Sequence, residues 1–481
     1  MLTCAQSMLI NHCTNRKNRI LTMNTKYISF AALTIAMSLN TSCSDQPDRY
    51  EVKGGIPSVS YIRCLSSEVV GNNDDENTQY TNGQIVTQAS PESVLCLVGD
   101  NLCSVTGIEF NKVKAVLNSS YMTDNTLIVS VPASIPEEVN DEIWLITQNA
   151  DTVKVDFHVV ISAPTITSIS CEYAPIGSAA KIVGRYMIDD PGVPLSVNFT
   201  GVSGLIPATI SKIAPDYTSV DITIPEGAIE GPIYVTSVYG TTKSNFRYLD
   251  SRGLLFDFDG ATGLGNHGWH ARDIMSDETS LTGNFLLLGG ATLDADASWN
   301  DGNFSFEYWP GNWEDPETFS DPSSRLLSDF ADFKDYESMS LKFEMFIPSS
   351  NPWSAGAMQI IPTSATVVSN GNAGTADIYG RVLGGANNHF ISSDDGSSVP
   401  RALYRPWVTS GSFDTADQWI TVTIPMNTGT FSYVADGTQA SGSYGADSWE
   451  GLTIFVCSGG VTGTECAPII KIDNIRAVPN K

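Results

Sequence analysis

The sequence predicts an all-β chain: three β-sandwiches in series, two of similar size followed by a larger one. Three observations predict it. Short runs alternate apolar with polar residues at period two, as half-buried strands must, and Gly, Pro and Asn punctuate them. A set of such runs recurs in the same order within the first half of the chain. Long helical periodicity is absent throughout.

The recurring set defines the two smaller units. One copy has Leu95-Cys96-Leu97-Val98-Gly99, then Ile108-Glu109-Phe110, then Thr126 to Pro132 and Ile143 to Thr147. The other has Ala180 to Gly184, Val197-Asn198-Phe199, Ser219 to Pro225 and Ile233 to Ser237. Gly99 and Gly184, Phe110 and Phe199, and Pro132 and Pro225 are 85, 89 and 93 residues apart, so loops absorb small differences. Several short strands with such punctuation describe β-sandwiches. The two units resemble the IPT/TIG branch of immunoglobulin-like domains. They carry no aromatic cluster, and Trp144 lies inside a strand pattern, so they read as spacers. Ala163-Pro164 and Leu249-Asp250 look like the joints, placing the spacers at 58–162 and 163–249 and the larger unit at 250–481.

Residues before the first spacer read as export machinery. Met1 to Thr22 lack hydrophobic patterning, and Met23 is a cleaner start: Lys26 supplies the charge and Tyr27 to Leu39 the short apolar run of a signal. That run is too short to span a bilayer. It ends in Leu39-Asn40-Thr41-Ser42-Cys43, which resembles a bacterial lipobox, with Cys43 the lipid-attachment residue at the end of a 1–43 leader. Residues 44–57 form a polar, acidic linker, and the acyl chains would be the anchor.

Charge narrows the ligand. With 53 acidic and 26 basic residues the net charge is −27 and the pI near 4.3. Such a surface repels phosphate backbones and acidic polysaccharides, leaving neutral ligands favoured and nucleic acid excluded. Beyond Cys43, six cysteines remain and fit no zinc motif. Cys457 and Cys466, bracketing a Gly-rich turn, are the best candidates for a disulfide.

Eight of the nine tryptophans lie beyond residue 250, which marks that unit as the binding domain. An exposed indole lets the C–H face of a pyranose leave water while neighbouring polar groups take its hydroxyls. In Asn303 to Pro310, alternation puts Phe304, Phe306 and Tyr308 toward the core and Trp309 on the other side, with Trp313 in the loop beyond. Trp353 lies in a turn, Tyr404 and Trp407 in another loop, and Trp269 beside two histidines; these six are the candidate glycan platforms. Trp419 and Trp449 abut aliphatic strands and read as core, while Trp299 is undecided.

The opening Phe256-Asp257-Phe258-Asp259-Gly260 and closing Ile472-Asp473-Asn474-Ile475 resemble jelly-roll carbohydrate-binding modules. The strings around Phe304 to Trp313, Pro348 to Pro362, Tyr404 to Phe413 and Trp419 to Met426 resemble the C-terminal domain of the surface glycan-binding protein B family. That resemblance implies an outer-membrane lipoprotein on the cell surface that captures a neutral plant glycan, such as xyloglucan or another β-glucan. It also implies a SusD-like protein and a TonB-dependent transporter as partners. In the modules, a structural calcium near the first and last strands would draw on Asp257, Asp259 or Asp473; no other cofactor or metal is expected.

No catalytic signature accompanies this. A sandwich glycosidase would need two carboxylates across one bond; the E-x-D-x-x-E string of the β-glucan-degrading family is absent, and Glu314-Asp315-Pro316-Glu317 reads as a solvated loop edge. Gly-x-Ser-x-Gly is absent too. In Asp294-x-Asp296-x-Ser298, Trp299 stands where an EF-hand loop needs Gly. A β-sandwich hydrolase and a surface adhesin or stalk remain the alternatives to a glycan binder.

Overall fold

The computed structural model describes residues 53–66, 83–134, 136, 139–268, 270–309, 325–363 and 399–480. The leader, Cys43, Trp269 and Trp313 lie outside them. The chain forms two compact units, one of residues up to 159 and one from 160 onward, apart from an exchanged short segment outside the described residues.

The first unit is a sandwich of a three-stranded and a four-stranded antiparallel sheet. Ser58–Ser66, Val94–Asp100 and Thr126–Ser130 make the first; Val113–Lys114, Val105–Phe110, Glu142–Thr147 and Thr152–Asp156 make the second. The period-two pattern is realised: along Glu142–Thr147, Ile143, Leu145 and Thr147 are buried and the alternate side chains are not. Trp144 lies beneath the Lys154 ammonium, 4.8 Å from its ring, and donates to Glu142 Oε2 at 2.6 Å.

The second unit holds two sandwiches. The smaller pairs the sheet Thr165–Ile169, Ala179–Arg185, Ser219–Thr223, Thr209–Ile213 with the sheet Gly204–Pro207, Ser196–Gly201, Ala228–Ser237, Gly240–Tyr248. The larger closes the chain. Its six-stranded sheet runs Asp273–Met275, Phe285–Leu288, Ile470–Pro479, Met339–Phe346, Ile420–Pro425, with Leu254–Phe256 also paired to Ile470–Pro479. Its four-stranded sheet runs Ser305–Tyr308, Gly451–Cys457, Ala357–Thr363, Ala402–Tyr404. Between them Phe256 meets Phe306 and Tyr308 with ring centroids 5.1 and 5.3 Å apart.

One strand departs from its pattern. Leu341, Phe343 and Met345 face the core, as alternation requires, yet Lys342 and Glu344 on the opposite face are buried too. The reason is Glu172, which follows the first strand of the smaller sandwich and reaches this face. Its carboxylate accepts from Lys342 Nζ at 2.5 Å and from Arg476 at 2.7 Å, while Arg476 also donates to Glu344 at 2.7 and 3.0 Å. Two acids and two bases balance, and none is left alone in a low-dielectric site. The Thr421 hydroxyl links the two acids, donating to Glu344 and accepting the Glu172 backbone N–H. Arg476 lies 4.8 Å from the ring centroid of Tyr173, whose hydroxyl donates to the Asp250 carbonyl. Burial pushes the Glu344 carboxyl up, with Arg476 opposing it.

All six described cysteines are free thiols, which corrects the expected Cys457–Cys466 bridge. Each sulfur has other company: Cys457 Sγ accepts from Gln359 Nε2 at 3.2 Å and Cys466 Sγ from the Ser354 N–H at 3.4 Å. The aspartates named for a structural calcium have protein partners of their own, except at Asp257 Oδ1, which is buried without a hydrogen bond among the described residues. Among the described residues no group of three or more His, Cys, Asp or Glu is placed to hold a metal. Asp259 Oδ1 accepts from the Asn284 backbone and amide, and Asp473 accepts from Thr282 and the Asn474 N–H.

Removing one member of the buried cluster strands the others. Glu172→Ala is expected to cost about 3–5 kcal/mol of stability, read as a lower urea midpoint, whereas Glu226→Ala, an unpaired surface control in the same sandwich, leaves it unchanged. Asp473 sets a pH dependence. Burial pushes its carboxyl up to about 8, and Glu344 and Asp259 add to this. Its folded value lies above its ordinary 3.8, so the neutral form is the one the fold favours. This contribution is complete below about pH 4 and lost as pH rises through about 8. Urea melts at pH 5 and pH 8 are therefore expected to differ less for Asp473→Asn than for the unaltered protein.

Candidate functional site

The larger sandwich has two outward faces. That of the six-stranded sheet is occupied by Glu172 and its neighbours; that of the four-stranded sheet carries the candidate site. Its composition follows from register. Phe306 pairs with Ile454, and Ile454 with Ile360, so these share the core face. The alternate row then faces outward: Ser305, Phe455 and Gln359 side by side, with Glu307, Thr453 and Ile361 in the next row.

A short extended segment builds up one edge of this face. His267 bridges to Tyr308, with the His267 N–H donating to the Glu307 carbonyl at 2.7 Å and the Trp309 N–H returning to the His267 carbonyl at 2.9 Å. Gly268 is required there: an added Cβ would stand 2.3 Å from Glu307 Cβ. Glu307 is buried as a result and accepts from Ser305 Oγ at 2.9 Å. Arg272 crosses nearby, donating to the Asp301 and Gly302 carbonyls at 2.6 and 2.8 Å, and burial pulls its guanidinium value down. Further along, Arg401 donates to Gln359 Oε1 at 3.0 Å.

The tryptophans separate sharply. Trp309 does lie on the outward face, as its alternation predicts, and its indole N–H donates to Thr453 Oγ1 at 2.9 Å. Its expected exposure is corrected: it is only 3% exposed. Trp353 and Trp407 are corrected further, because both belong to the core. Trp353 is 0% exposed and donates to the Ala355 carbonyl at 2.6 Å; Trp407 is buried and donates to the Gly356 carbonyl at 2.8 Å. The turn at Trp353 and the loop at Trp407 fold back over the end of the sandwich, where a large apolar ring gains more from burial than from solvent. Tyr404 is half-buried on the core side, its ring centroid 6.2 Å from that of Trp353, and burial pushes its phenol up to about 12. Trp449 is buried as expected, while Trp419 is half-buried between Phe285 and Phe346.

Among the described residues Trp299, left undecided by the sequence, is the tryptophan that stands out from the surface. It is 54% exposed, with its ring edge-on to Phe455 at 4.7 Å between centroids. Phe455 and Thr453 are two residues apart on one strand, so Trp299 and Trp309 stand over neighbouring positions about 7 Å apart along it.

Outward polar rows, flanking aromatics and buried, mutually satisfied carboxylates define a carbohydrate-binding type of sandwich carried on immunoglobulin-like domains. Residues 248–479 match the family model described as surface glycan-binding protein B xyloglucan binding domain. The crystal structure of the surface glycan-binding protein PbSGBP-B from Prevotella bryantii is similar over 89% of this chain and 100% of its own, with 43% identity and a TM-score of 0.74. The chain belongs to the surface glycan-binding protein B family. An SGBP-B from a complex xyloglucan utilization locus of Bacteroides uniformis aligns over 88% of this chain and 100% of its own at 13% identity and a TM-score of 0.40. An IPT/TIG domain-containing protein of Bacteroides ovatus is 23% identical over 229 residues, 45% of this chain and 43% of that protein, so the match spans less than half of that relative's length.

Trp353→Ala and Trp407→Ala are each expected to cost about 3–5 kcal/mol of folding stability, as core truncations do. Glycan titrations of the fraction still folded, run beside thermal melts, should return an unaltered affinity.

Proposed function

We propose that the protein is a non-catalytic, lipid-anchored capture protein of the cell surface that binds a neutral xyloglucan-type glycan on the outward face of the four-stranded sheet. The observation that carries this is the face itself. It lies within the segment matching the xyloglucan-binding family model, and over its buried rows Trp299 holds an indole that is 54% exposed. The net charge of −27 favours neutral over acidic chains. Glu307 supports a non-catalytic reading: the carboxylate of this face is buried behind Gly268 and engaged by Ser305, out of reach of a glycosidic oxygen. Trp269, which follows Gly268, and Trp313, four residues after Trp309, are further contributors read from sequence alone. Cys43 carries the anchor, and handover to a SusD-like protein and a TonB-dependent transporter completes the role.

Affinity electrophoresis on xyloglucan, mixed-linkage β-glucan and polygalacturonate should retard the protein on the neutral gels only, with no reducing sugar released. Retardation on none of them, or steady release of reducing ends, overturns the proposal. Cys43→Ala should move the protein from the membrane to the soluble fraction.

A further inference from the structure

Trp299 stands on a loop that the fold holds unusually firmly. Asp294 Oδ1 accepts from the Asp296 and Ser298 backbone N–H groups at 3.1 and 3.0 Å, and the Ser298 side chain, followed by these backbone bonds, holds its carboxyl below the usual range. Ala297 takes a left-handed conformation, φ 47°, and is itself buried. Opposite it, Gly356 at φ 75° leaves room that a side chain would fill, since a Cβ there would come within 2.6 Å of the Ala297 Cβ. The loop is tied to the Ser458 to Gly463 turn by three bonds: Ser458 N–H to the Ala297 carbonyl at 2.9 Å, Gly463 N–H to the Ala295 carbonyl at 2.7 Å, and Thr462 Oγ1 to Asp296 at 2.8 Å. Beyond Trp299, the helical turn Asp301–Phe304 leads directly into the edge strand of the site.

Such a loop does not serve to bury its tryptophan. Among the described residues the indole N–H groups of Trp299 and Trp449 have no hydrogen-bond partner, but Trp449 is buried while Trp299 is exposed; those of Trp144, Trp309, Trp353, Trp407 and Trp419 each have one. Phe455 supports one side of the ring, and the rest is left to solvent.

We infer that Trp299 is a preorganised stacking platform, taking the C–H face of one pyranose ring of a neutral glycan chain, with its indole N–H donating to a sugar hydroxyl. The inference rests on the glycan-capture reading and adds to it the residue that sets affinity. Holding the ring in place before binding removes an ordering cost that a flexible aromatic would pay on contact.

The test compares the mature chain with Trp299→Ala and Trp299→Phe, titrated calorimetrically with xyloglucan oligosaccharides and melted in parallel. Trp299→Ala should weaken binding roughly ten- to a hundredfold with its melting temperature unchanged, and Trp299→Phe should fall between. In the unaltered protein, glycan should change the tryptophan emission, and Trp299→Phe should lose most of that change. Affinity of Trp299→Ala within about twofold of the unaltered protein overturns the platform and leaves glycan capture standing. A lowered melting temperature in both variants, with the emission change retained in Trp299→Phe, overturns it in favour of a packing role. An unaltered protein that binds no glycan of the panel removes the capture reading, and the platform with it.

Discussion

The Arg476 guanidinium, shared between Glu172 and Glu344, is the interaction on which the second compact unit depends. It sits on the last strand of the chain and fastens residues that are 304 and 132 positions away. A planar fork with donors on both sides holds two carboxylates in a fixed geometry, where a lysine offers a rotating point charge. Lys342 then needs only the remaining oxygen of Glu172. Because charges buried this way are costly unless all partners are present, the cluster selects a single seating of the smaller sandwich on the larger. The six-stranded sheet is thereby committed to an internal contact, and it is on the side of the four-stranded sheet that Trp299 is exposed.

That division explains the polar character of both outward faces. Each is buried, yet neither is built as a hydrophobic core. One is saturated by ion pairs, the other by short-range bonds such as Ser305 to Glu307, Trp309 to Thr453 and Arg401 to Gln359.

Much of the fold was legible because strand alternation is local. The repeat, the strand segments and the outward side of Trp309 all follow from period two. Burial was not legible, because it depends on what arrives from elsewhere in the chain. Nothing near Trp353 or Trp407 announces that their indoles will reach the Ala355 and Gly356 carbonyls inside the core. Nor does the alternating Ser340 to Ile347 pattern reveal that Glu172 will cover its polar side. Trp299 did carry a signal. Its Asp294-x-Asp296-x-Ser298 prefix fails as a calcium loop, but the same carboxylate-to-backbone bonding that such a prefix favours is what shapes a tight, fixed turn. The sequence rightly set the calcium loop aside, but it did not say that the prefix would hold Trp299 in place.

The six free thiols have a consequence of their own. Five are buried, and burial pushes those of Cys96, Cys171 and Cys457 upward, toward the protonated and unreactive form. Among the described residues the sandwiches hold no cross-link. Durability here comes from packing and charge matching, which form as fast as the chain folds and need no enzyme to install.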